Sequence, residues 1–362
     1  MSDKETGDIL QKSLCGKIMI AGPCSAETEC QVMDTARSLA EAGVRIFRAG
    51  IWKPRTRPGC FEGIGVEGLA WLKRVKEETG MRVTTEIANP THVEEALNAG
   101  IDILWIGART TTSPFAIQEI ADCMRGCDTP VMVKNPVNPD IELWNGAIER
   151  LEKAGINVIA AIHRGFSTYG ENTYRNAPQW QIPIELRRRR PDLPILCDPS
   201  HIGGNSRYIL PLSQTAFEMN ADGLFIEVHC SPGTALSDAA QQITPKMYVH
   251  LLESLKSRRQ PDNTESAGLS EFRTKIDECD RQLLSVIARR MDIVSHIGEY
   301  KQEHGLTILQ SQRYTDIIEA LQEDSETKGL SKEFIKSLFE IIHTESIRIQ
   351  LDLQSSLKNE KL

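Results

Sequence analysis

The feature that most constrains the fold is an eightfold alternation of short apolar segments with longer helical segments over the first 256 residues. Strands are predicted at Lys17–Pro23, Val44–Gly50, Arg82–Ile87, Ile103–Ala108, Pro130–Asn135, Val158–Gly165, Pro194–Ser200 and Gly223–His229. Helical periodicity occurs at Glu27–Ala42, Val66–Thr79, His92–Ala99, Pro114–Met124, Ile141–Ala154 and Ser206–Asn220. The strand from Val158 is apolar throughout, which is typical of a sheet covered on both faces. We therefore predict an α/β fold, a (β/α)8 TIM barrel, with a doubly wound open sheet as the alternative.

Composition and charge indicate which classes of binding partner and which cellular compartment to expect. The 362 residues include 42 Lys and Arg against 50 Asp and Glu, a net charge of −8. We interpret the run Arg187 to Arg190 as a solvated helix end, so neither nucleic acid nor a membrane surface is indicated as a partner. The apolar runs are shorter than the roughly 20 residues of a membrane helix, and the first ten residues are too polar for a secretory signal. We expect a cytoplasmic protein whose nine scattered cysteines are reduced.

Cationic residues follow several of the predicted strands. In barrels of this kind the carboxyl ends of the strands build the active site. A cluster of guanidinium and ammonium groups there would suit small substrates that carry phosphate and carboxylate groups. The cationic residues are Arg48, Lys53, Arg55, Arg109, Lys134 and Arg164.

A second set of residues at the strand ends offers metal ligands. Cys24, His201, Glu227 and Asp238 each lie in or just beyond a strand end. A thiolate, an imidazole and two carboxylates suit a divalent ion such as Mn²⁺, Fe²⁺, Co²⁺ or Zn²⁺, and ligand softness does not choose among these. No Walker-A motif or dinucleotide fingerprint is present, so a nucleotide is not indicated.

Five motifs in this order resemble type I 3-deoxy-D-arabino-heptulosonate 7-phosphate (DAHP) synthase, in its β subgroup, over residues 17–256. They are Gly22-Pro23-Cys24-Ser25, Lys53-Pro54-Arg55-Thr56, Ile106-Gly107-Ala108-Arg109, Asp198-Pro199-Ser200-His201 and the stretch from Glu227 to Asp238. The resemblance implies a metal-dependent condensation of phosphoenolpyruvate with erythrose 4-phosphate, with Mn²⁺ as the expected ion. The alternative aldehyde is arabinose 5-phosphate, the substrate of the sister enzyme.

The resemblance also assigns roles to individual residues. Cys24, His201, Glu227 and Asp238 would hold the metal. Phosphoenolpyruvate would be bound by Arg48, Arg109, Lys134 and Arg164. Erythrose 4-phosphate would be bound by Lys53, Pro54, Arg55 and Thr56.

The chain beyond the barrel is predicted to be helical. Residues 1–16 are an N-terminal extension, 17–256 the barrel, 257–268 a polar, aperiodic linker and 269–362 a small all-α domain. Helices are predicted at Leu269–Glu303, Gln310–Glu323 and Ser331–Gln354. The first would be about 50 Å long at about 1.5 Å per residue, too long for so small a domain to bury. Its heptad-like apolar seam predicts a homodimer, with a higher homo-oligomer left open.

Basic and amide residues of this domain predict a second site. At about 100° per residue, Arg290 and Lys301 lie within about 20° of each other on the first helix, whereas Arg273 lies about 100° from Arg290 and would serve another site. An Arg in the seam could set the helix register or bind an anionic ligand. Ser346 and Gln350 share a face at spacing i, i+4.

This pattern resembles the all-helical chorismate mutase over residues 269–354. The resemblance implies rearrangement of chorismate to prephenate, with Arg273 reaching the neighbouring subunit's site. The residues that would bind chorismate or prephenate are Arg273, Arg290, Lys301, Arg313, Ser346 and Gln350. Gln310 and Tyr314 depart from the commonest pattern, which leaves a dimerising, ligand-sensing module without catalysis as the alternative. We predict a bifunctional enzyme of aromatic amino-acid biosynthesis whose barrel is inhibited by prephenate or chorismate bound to the helical domain.

Overall fold

The computed structural model describes residue 10 and residues 16–54, 59–170, 173–256, 263–309 and 311–359. The chain divides into two compact units, Met1–Arg259 and Gln260–Leu362. Within the described residues, no helix combines the length and the apolar character needed to span a membrane. The described cysteines are free thiols.

Eight parallel strands close into a barrel in the first unit. They are β1 (Ile18–Gly22), β2 (Ile46–Arg48), β3 (Arg82–Ile87), β4 (Ile103–Ile106), β5 (Val131–Lys134), β6 (Val158–His163), β7 (Ile195–Cys197) and β8 (Gly223–Glu227). Each strand pairs with the next in the chain, and β8 pairs with β1 from Ile18 to Gly22. This pairing confirms the predicted barrel and excludes the open sheet.

Ten helices accompany the strands in the described part of this unit. They are α1 (Glu29–Glu41), α2 (Glu67–Thr79), α3 (Pro90–Asn98), α4 (Ala108–Thr111), α5 (Pro114–Cys123), α6 (Ile141–Lys153), α7 (Gln181–Arg189), α8 (Pro199–Gly203), α9 (Ile209–Glu218) and α10 (Pro245–Ser254). The six predicted helices occur, the last of them as a 3₁₀ turn at Ser206–Tyr208 followed by α9. Four helices were not predicted: α4 and α8, which are too short to show a period, and α7 and α10. The arginine run is a helix end, as predicted, because α7 ends in it at Arg189, but it is only partly solvated: Arg187 and Arg190 are largely buried and pair with Asp222 and Glu152.

Local capping sets where several of these helices begin and end. The Thr28 side chain accepts a hydrogen bond from the Gln31 N–H at the start of α1, and Asp140 accepts from two N–H groups at the start of α6. Gly80 ends α2 with φ 70°, a conformation that favours glycine.

The barrel unit has two apolar layers. One fills the barrel and includes Ile20, Ile46, Trp105 and Phe225, and the other lies between strands and helices. Leu10, in the predicted N-terminal extension, is buried with the inner layer. Successive side chains of a strand point to opposite faces, so the residue two positions after an inner apolar residue also faces the barrel interior. The inner face therefore changes from apolar to charged at the carboxyl ends of the strands.

Three helices make up the described part of the second unit: α11 (Asn263–Glu303), α12 (Ser311–Thr327) and α13 (Lys332–Asn359). The predicted linker 257–268 is corrected here, because α11 begins inside it at Asn263. Extending a formed helix costs little per residue, so a polar stretch can continue a helix that an apolar face stabilises further along. Val294 of α11 is buried, but nine of the helix's large apolar residues are exposed: Leu269, Phe272, Ile276, Leu283, Leu284, Val286, Ile293, Ile297 and Tyr300.

Candidate functional sites

The four candidate metal ligands converge at the carboxyl end of the barrel. The Sγ of Cys24 and carboxylate oxygens of Glu227 and Asp238 all lie within 4.8 Å of one another. His201 Nε2 is 3.6 Å from Glu227 Oε1. Glu227 ends β8 and Cys24 lies just beyond β1, so the β1–β8 pairing that closes the barrel brings these two together.

The donor set and its electrostatics fit a divalent cation. Burial, and then the nearby Glu227 carboxylate, raise the pKa of the Cys24 thiol to about 12. Burial alone would raise the pKa of Glu227, but the charges of His201 and Arg48 outweigh burial and lower the pKa below its ordinary value. The carboxylate therefore stays charged. A buried thiol beside two carboxylates keeps its proton, and a bound cation would stabilise the thiolate that is the metal ligand.

Asp198 orients the histidine of this cluster, a role that the sequence analysis missed. Its Oδ2 lies 2.7 Å from His201 Nδ1 and accepts a hydrogen bond from Lys134 Nζ at 2.9 Å. Its Oδ1 accepts from the His201 N–H at 3.0 Å and caps α8. Placing the ring proton on Nδ1 leaves the Nε2 lone pair available to a metal. Burial would raise the pKa of Asp198, but His201 and Lys134 hold it well below its ordinary value.

Two adjacent glutamines form hydrogen bonds to two of the metal-ligand candidates. Gln241 Nε2 donates to Glu227 Oε2 at 2.6 Å, and Gln242 Oε1 accepts from the Cys24 N–H at 2.9 Å. Arg175 Nη1 donates to Gln241 Oε1 at 2.7 Å and to Asp238 Oδ1 at 3.0 Å. These three side chains were not predicted, because no strand end or motif marks them.

The candidate anion-binding residues surround the metal-ligand cluster. Arg48 is buried, donates from Nη2 to Glu227 Oε1 at 3.1 Å and stacks on Phe225, with 4.4 Å from Cζ to the ring centroid. Its Nε and Nη1 have no hydrogen-bond partner among the described residues. Arg164 Nη1 donates to Asn176 Oδ1 at 2.8 Å, and burial lowers the pKa of Arg164 to about 10.

A polar cavity opens between the cations and the metal-ligand cluster. Its lining includes Lys53, Pro54, Glu86, Arg109, Lys134, Arg164, Arg175, His201 and Asp238. Lys53 Nζ donates to the Cys24 carbonyl at 3.1 Å. Arg55 and Thr56, the rest of the predicted aldehyde-phosphate motif, lie outside the described residues.

Glu86 is a further acidic residue of this cavity that the sequence analysis missed. It lies at the end of β3 and accepts a hydrogen bond from Trp105 Nε1 at 3.2 Å. A Cβ at residue 107 would lie 2.0 Å from Glu86 Oε1, so a larger residue there would displace the Glu86 carboxylate. The alternation along β3 could have marked Glu86 as an inner residue.

A second polar cluster lies between α11 and α13. Arg290 Nη1 donates to Ser346 Oγ at 2.6 Å, and Lys301 Nζ donates to the Ile308 carbonyl at 2.5 Å. Gln350 Nε2 donates to the Ser346 carbonyl at 3.1 Å, and its buried Oε1 has no hydrogen-bond partner among the described residues. Four of the six candidate residues therefore share one pair of helices.

The remaining two candidates of this unit are exposed. Arg313 is near the start of α12, and Arg273 is 17 positions before Arg290 on α11. At about 1.5 Å per residue, Arg273 is about 25 Å from Arg290 along the helix. It therefore cannot bind the same small ligand as Arg290 within one subunit.

His343 joins this second cluster without having been predicted. Its ring centroid is 4.3 Å from that of Tyr314, and its Nε2 has no hydrogen-bond partner in the part of the chain that is described. Burial, followed by Arg290 and Lys301, lowers the pKa of His343. Gln310, the other departure from the family pattern, lies outside the described residues.

Comparison with known proteins places the two units in two families. Residues 15–261 match the model of the DAHP synthetase I family, and residues 272–351 match that of chorismate mutase type II. A phospho-2-dehydro-3-deoxyheptonate aldolase of Thermotoga maritima is 34% identical over 238 residues, 66% of this chain and 68% of that protein. A 2-dehydro-3-deoxyphosphooctonate aldolase of Wolinella succinogenes is 32% identical over 66% of this chain and 98% of that protein.

Solved structures agree with the sequence comparison over the barrel. The crystal structure of a Thermotoga maritima DAHP synthase matches with a TM-score of 0.59 and 33% identity, over 65% of this chain and 66% of that one. A truncated form of a 3-deoxy-D-arabino-heptulosonate 7-phosphate synthase from Thermotoga maritima matches with a TM-score of 0.57 and 31% identity, over 65% and 83%.

Proposed function

The chain belongs to the DAHP synthetase I family and carries a chorismate mutase type II domain. We therefore propose that it is a bifunctional enzyme whose barrel requires a divalent metal ion. The barrel condenses phosphoenolpyruvate with erythrose 4-phosphate to DAHP and phosphate. The helical unit rearranges chorismate to prephenate. Both reactions belong to aromatic amino-acid biosynthesis, and we place the enzyme in the cytoplasm.

Cys24, His201, Glu227 and Asp238 hold the ion, which we propose to be Mn²⁺. The single observation that supports the site is the convergence of thiol and carboxylate donors within 4.8 Å, with His201 alongside. A bound divalent ion supplies Lewis-acid polarisation of the aldehyde oxygen. The mixed donor set accepts Fe²⁺, Co²⁺ and Zn²⁺ as well.

The cationic residues bind and orient the two substrates. Arg48, Arg109, Lys134 and Arg164 bind the carboxylate and phosphate of phosphoenolpyruvate. Arg48 supplies donors for this from Nε, which has no hydrogen-bond partner among the described residues, and from Nη1, whose nearest carboxylate oxygen, Asp198 Oδ2, is 4.0 Å away. Erythrose 4-phosphate is bound by Lys53, Pro54, Arg55 and Thr56. C3 of phosphoenolpyruvate attacks the aldehyde carbon, water adds to C2, and the phosphate then leaves. Holding both partners in line converts a bimolecular encounter into an oriented reaction.

In the helical unit, cations and amides stabilise the charge that develops during a pericyclic rearrangement. Arg290 and Arg313 bind carboxylates, while Lys301 and Gln350 donate to the ether oxygen as it gains negative charge. Ser346 holds Arg290 in place. Arg273 completes the site of the neighbouring subunit in a homodimer formed along the exposed seam of α11.

Both activities of the full chain, measured after treatment with a chelator, test this proposal. We expect the condensation to stop and the mutase reaction to continue, and Mn²⁺ to restore the condensation. Condensation that persists without metal would contradict the metal site, and the absence of mutase activity would favour the purely sensing module.

The same preparation distinguishes the two aldehydes. The relative from Wolinella succinogenes is named for the octonate product, so arabinose 5-phosphate is the natural competitor. We expect erythrose 4-phosphate to give the higher kcat/KM. Faster turnover of the pentose phosphate would overturn the substrate assignment and leave the metal site intact.

A further inference from the structure

The segment that follows β6 folds back on itself at the wall of the substrate cavity. Phe166 and Ala177 form an antiparallel bridge, with hydrogen bonds of 2.8 and 2.9 Å between their N–H and carbonyl groups. Arg164 lies just before Phe166 in the chain, and Asn176 lies just before Ala177. Asn176 is 5% exposed. The bridge therefore brings a buried amide next to an arginine that we assign to phosphoenolpyruvate.

The side chain of Asn176 joins this arginine to a metal-ligand candidate. Its Oδ1 accepts a hydrogen bond from Arg164 Nη1 at 2.8 Å, and its Nδ2 donates to the His201 carbonyl at 2.7 Å. A guanidinium only donates and a carbonyl oxygen only accepts, so the two partners define which end of the amide is the oxygen. A carboxylate has no donor for His201, and an aliphatic side chain bonds to neither partner. The amide is therefore the group that fits both.

Asn176 also binds the end of the short helix α8, which carries His201. Its backbone N–H donates to the Ile202 carbonyl at 3.1 Å. The last four carbonyls of an α-helix have no partner within the helix, so the five-residue α8 depends on donors from outside. Asn176 supplies two such donors, one to His201 and one to Ile202. The residue that restrains Arg164 therefore also restrains the backbone of a metal-ligand candidate.

Arg164 requires a restraint of this kind because it is a buried cation on a long side chain. It is 7% exposed, and burial lowers its pKa to about 10, so the guanidinium remains charged at neutral pH. Its backbone N–H donates to Asn135 Oδ1 at 2.6 Å, which fixes the main chain but not the side-chain torsions. A guanidinium that is already oriented loses less side-chain entropy when it binds an anion.

We propose that Asn176 is a positioning residue for the condensation, which holds the Arg164 guanidinium for phosphoenolpyruvate and fixes the helix that carries His201. This inference rests on the proposed function of the barrel. It adds a single buried amide that the anion site and the metal site share.

Asn176→Leu tests the proposal, because leucine has a similar volume and forms neither side-chain hydrogen bond. Losing a hydrogen bond to a charged group weakens binding about tenfold or more, so we expect the KM and the calorimetric Kd for phosphoenolpyruvate to rise by at least that factor at saturating Mn²⁺. The KM for erythrose 4-phosphate should change less than about twofold, which a general loss of structure would not achieve. Titration of the metal-free chain with Mn²⁺ should show an affinity lower by about tenfold.

Asn145→Leu is the matched control. Asn145 Oδ1 also accepts from an arginine, Arg190 Nε at 2.5 Å, and its Nδ2 donates to Glu149 Oε1 at 2.8 Å, but it does not line the substrate cavity. We expect this variant to leave both KM values and the Mn²⁺ titration unchanged. Each variant is checked for folding by circular dichroism, and Asn176→Ala replaces the leucine variant if that chain does not fold.

A double-mutant cycle tests whether Asn176 acts through Arg164. Arg164→Leu removes the cation that the amide holds, so adding Asn176→Leu in that background is expected to change the Kd for phosphoenolpyruvate by less than about twofold. A tenfold effect that persists there would overturn the positioning role.

The remaining outcomes separate this inference from the proposed function. If the unaltered chain condenses its substrates, an unchanged affinity of the folded Asn176 variant for either phosphoenolpyruvate or Mn²⁺ would overturn the inference and leave the proposed function intact. Absence of condensation by the unaltered chain would overturn the proposed function, and this inference with it.

Discussion

At the scale of single residues, the metal-ligand candidates are held by side chains that are not candidates themselves. Gln241 donates to Glu227 Oε2 and accepts from Arg175, so its amide is held at both ends. Its neighbour Gln242 fixes the backbone of Cys24. Partners of this kind orient the ligands of metal sites, and losing one typically lowers metal affinity about 10–100-fold.

We predict that Gln241→Leu lowers the affinity of the full chain for Mn²⁺ by about tenfold or more. The amide that restrains Glu227 is lost, while the ligand atoms remain. Calorimetric titration of the metal-free protein measures this directly, and Gln118→Leu on α5 is the control. An unchanged titration curve for Gln241→Leu would show that Glu227 needs no such support.

His163, which is buried at the end of β6, has a consequence for stability in acid. Burial lowers its pKa from 6.5 to about 4 in the folded state, so the unfolded chain binds the extra proton first as the pH falls. Stability is therefore lost between pH 6.5 and pH 4 and is unaffected above that window. From pH 7 to pH 4.5 the loss due to this group is about 2 kcal/mol.

We predict that His163→Phe loses less stability on acidification than the unaltered chain does. Urea unfolding of both proteins at pH 7 and pH 4.5, followed by a signal from the barrel unit, gives the comparison. The decrease in the free energy of unfolding from pH 7 to pH 4.5 should be about 2 kcal/mol smaller for His163→Phe than for the unaltered chain. Equal differences would mean that His163 is protonated in the folded state at pH 4.5.

At the scale of elements, α11 is the most informative segment. Apolar residues along its length, from Leu269 to Tyr300, stay exposed in the described chain. A 41-residue helix is longer than its two neighbours in the unit, so they cannot cover its whole length. The exposed seam and the distant Arg273 both support a second copy as that partner.

We predict that Leu283→Glu separates the dimer, because a carboxylate would be buried in the apolar seam. Sedimentation should give half the mass, and mutase activity should fall with it as Arg273 is withdrawn, while condensation by the barrel remains. Ser285→Glu, about 200° further around the helix, is the control. A dimeric Leu283→Glu chain, or a monomer with full mutase activity, would contradict the proposed role of the seam.

At the scale of the whole molecule, the fusion joins two enzymes of one pathway. We propose that prephenate or chorismate bound to the helical unit inhibits the barrel. Such coupling requires that the inhibitor and phosphoenolpyruvate weaken each other's binding by the same factor, typically 5–150-fold in coupled systems.

We predict that prephenate, at concentrations that saturate the helical unit, inhibits condensation by the full chain. Arg290→Leu should remove both this inhibition and most mutase activity, about 10²–10³-fold, because the guanidinium that binds the ligand is lost. Arg281→Leu, an exposed position on the same helix, is the control. Full condensation activity in the presence of bound prephenate would show that the fusion does not regulate the barrel.

Local patterns in the sequence determined most of the architecture. Strand β3 occurs at the predicted residues, and the other strands lie within the predicted segments, because burial on both faces demands apolar, β-branched runs. The metal-ligand candidates were predicted from their positions in or beyond strand ends, and two of them keep that position closely: Glu227 ends β8 and Cys24 lies two positions after β1, whereas Asp238 lies eleven positions after β8. The helical period of about 100° per residue was enough to predict that Arg290 and Lys301 share one helix face.

Only the tertiary structure decided which side chains support these residues. Gln242 is 218 positions from Cys24 and contacts it because β8 pairs with β1, a closure that no local pattern encodes. Asp198, Arg175, Gln241 and Glu86 act through hydrogen bonds between loops and strand ends, and such partners have no period. Hydrophobic periodicity is a local property of the chain, whereas the polar contacts that complete a site depend on which distant segments the closed barrel brings together.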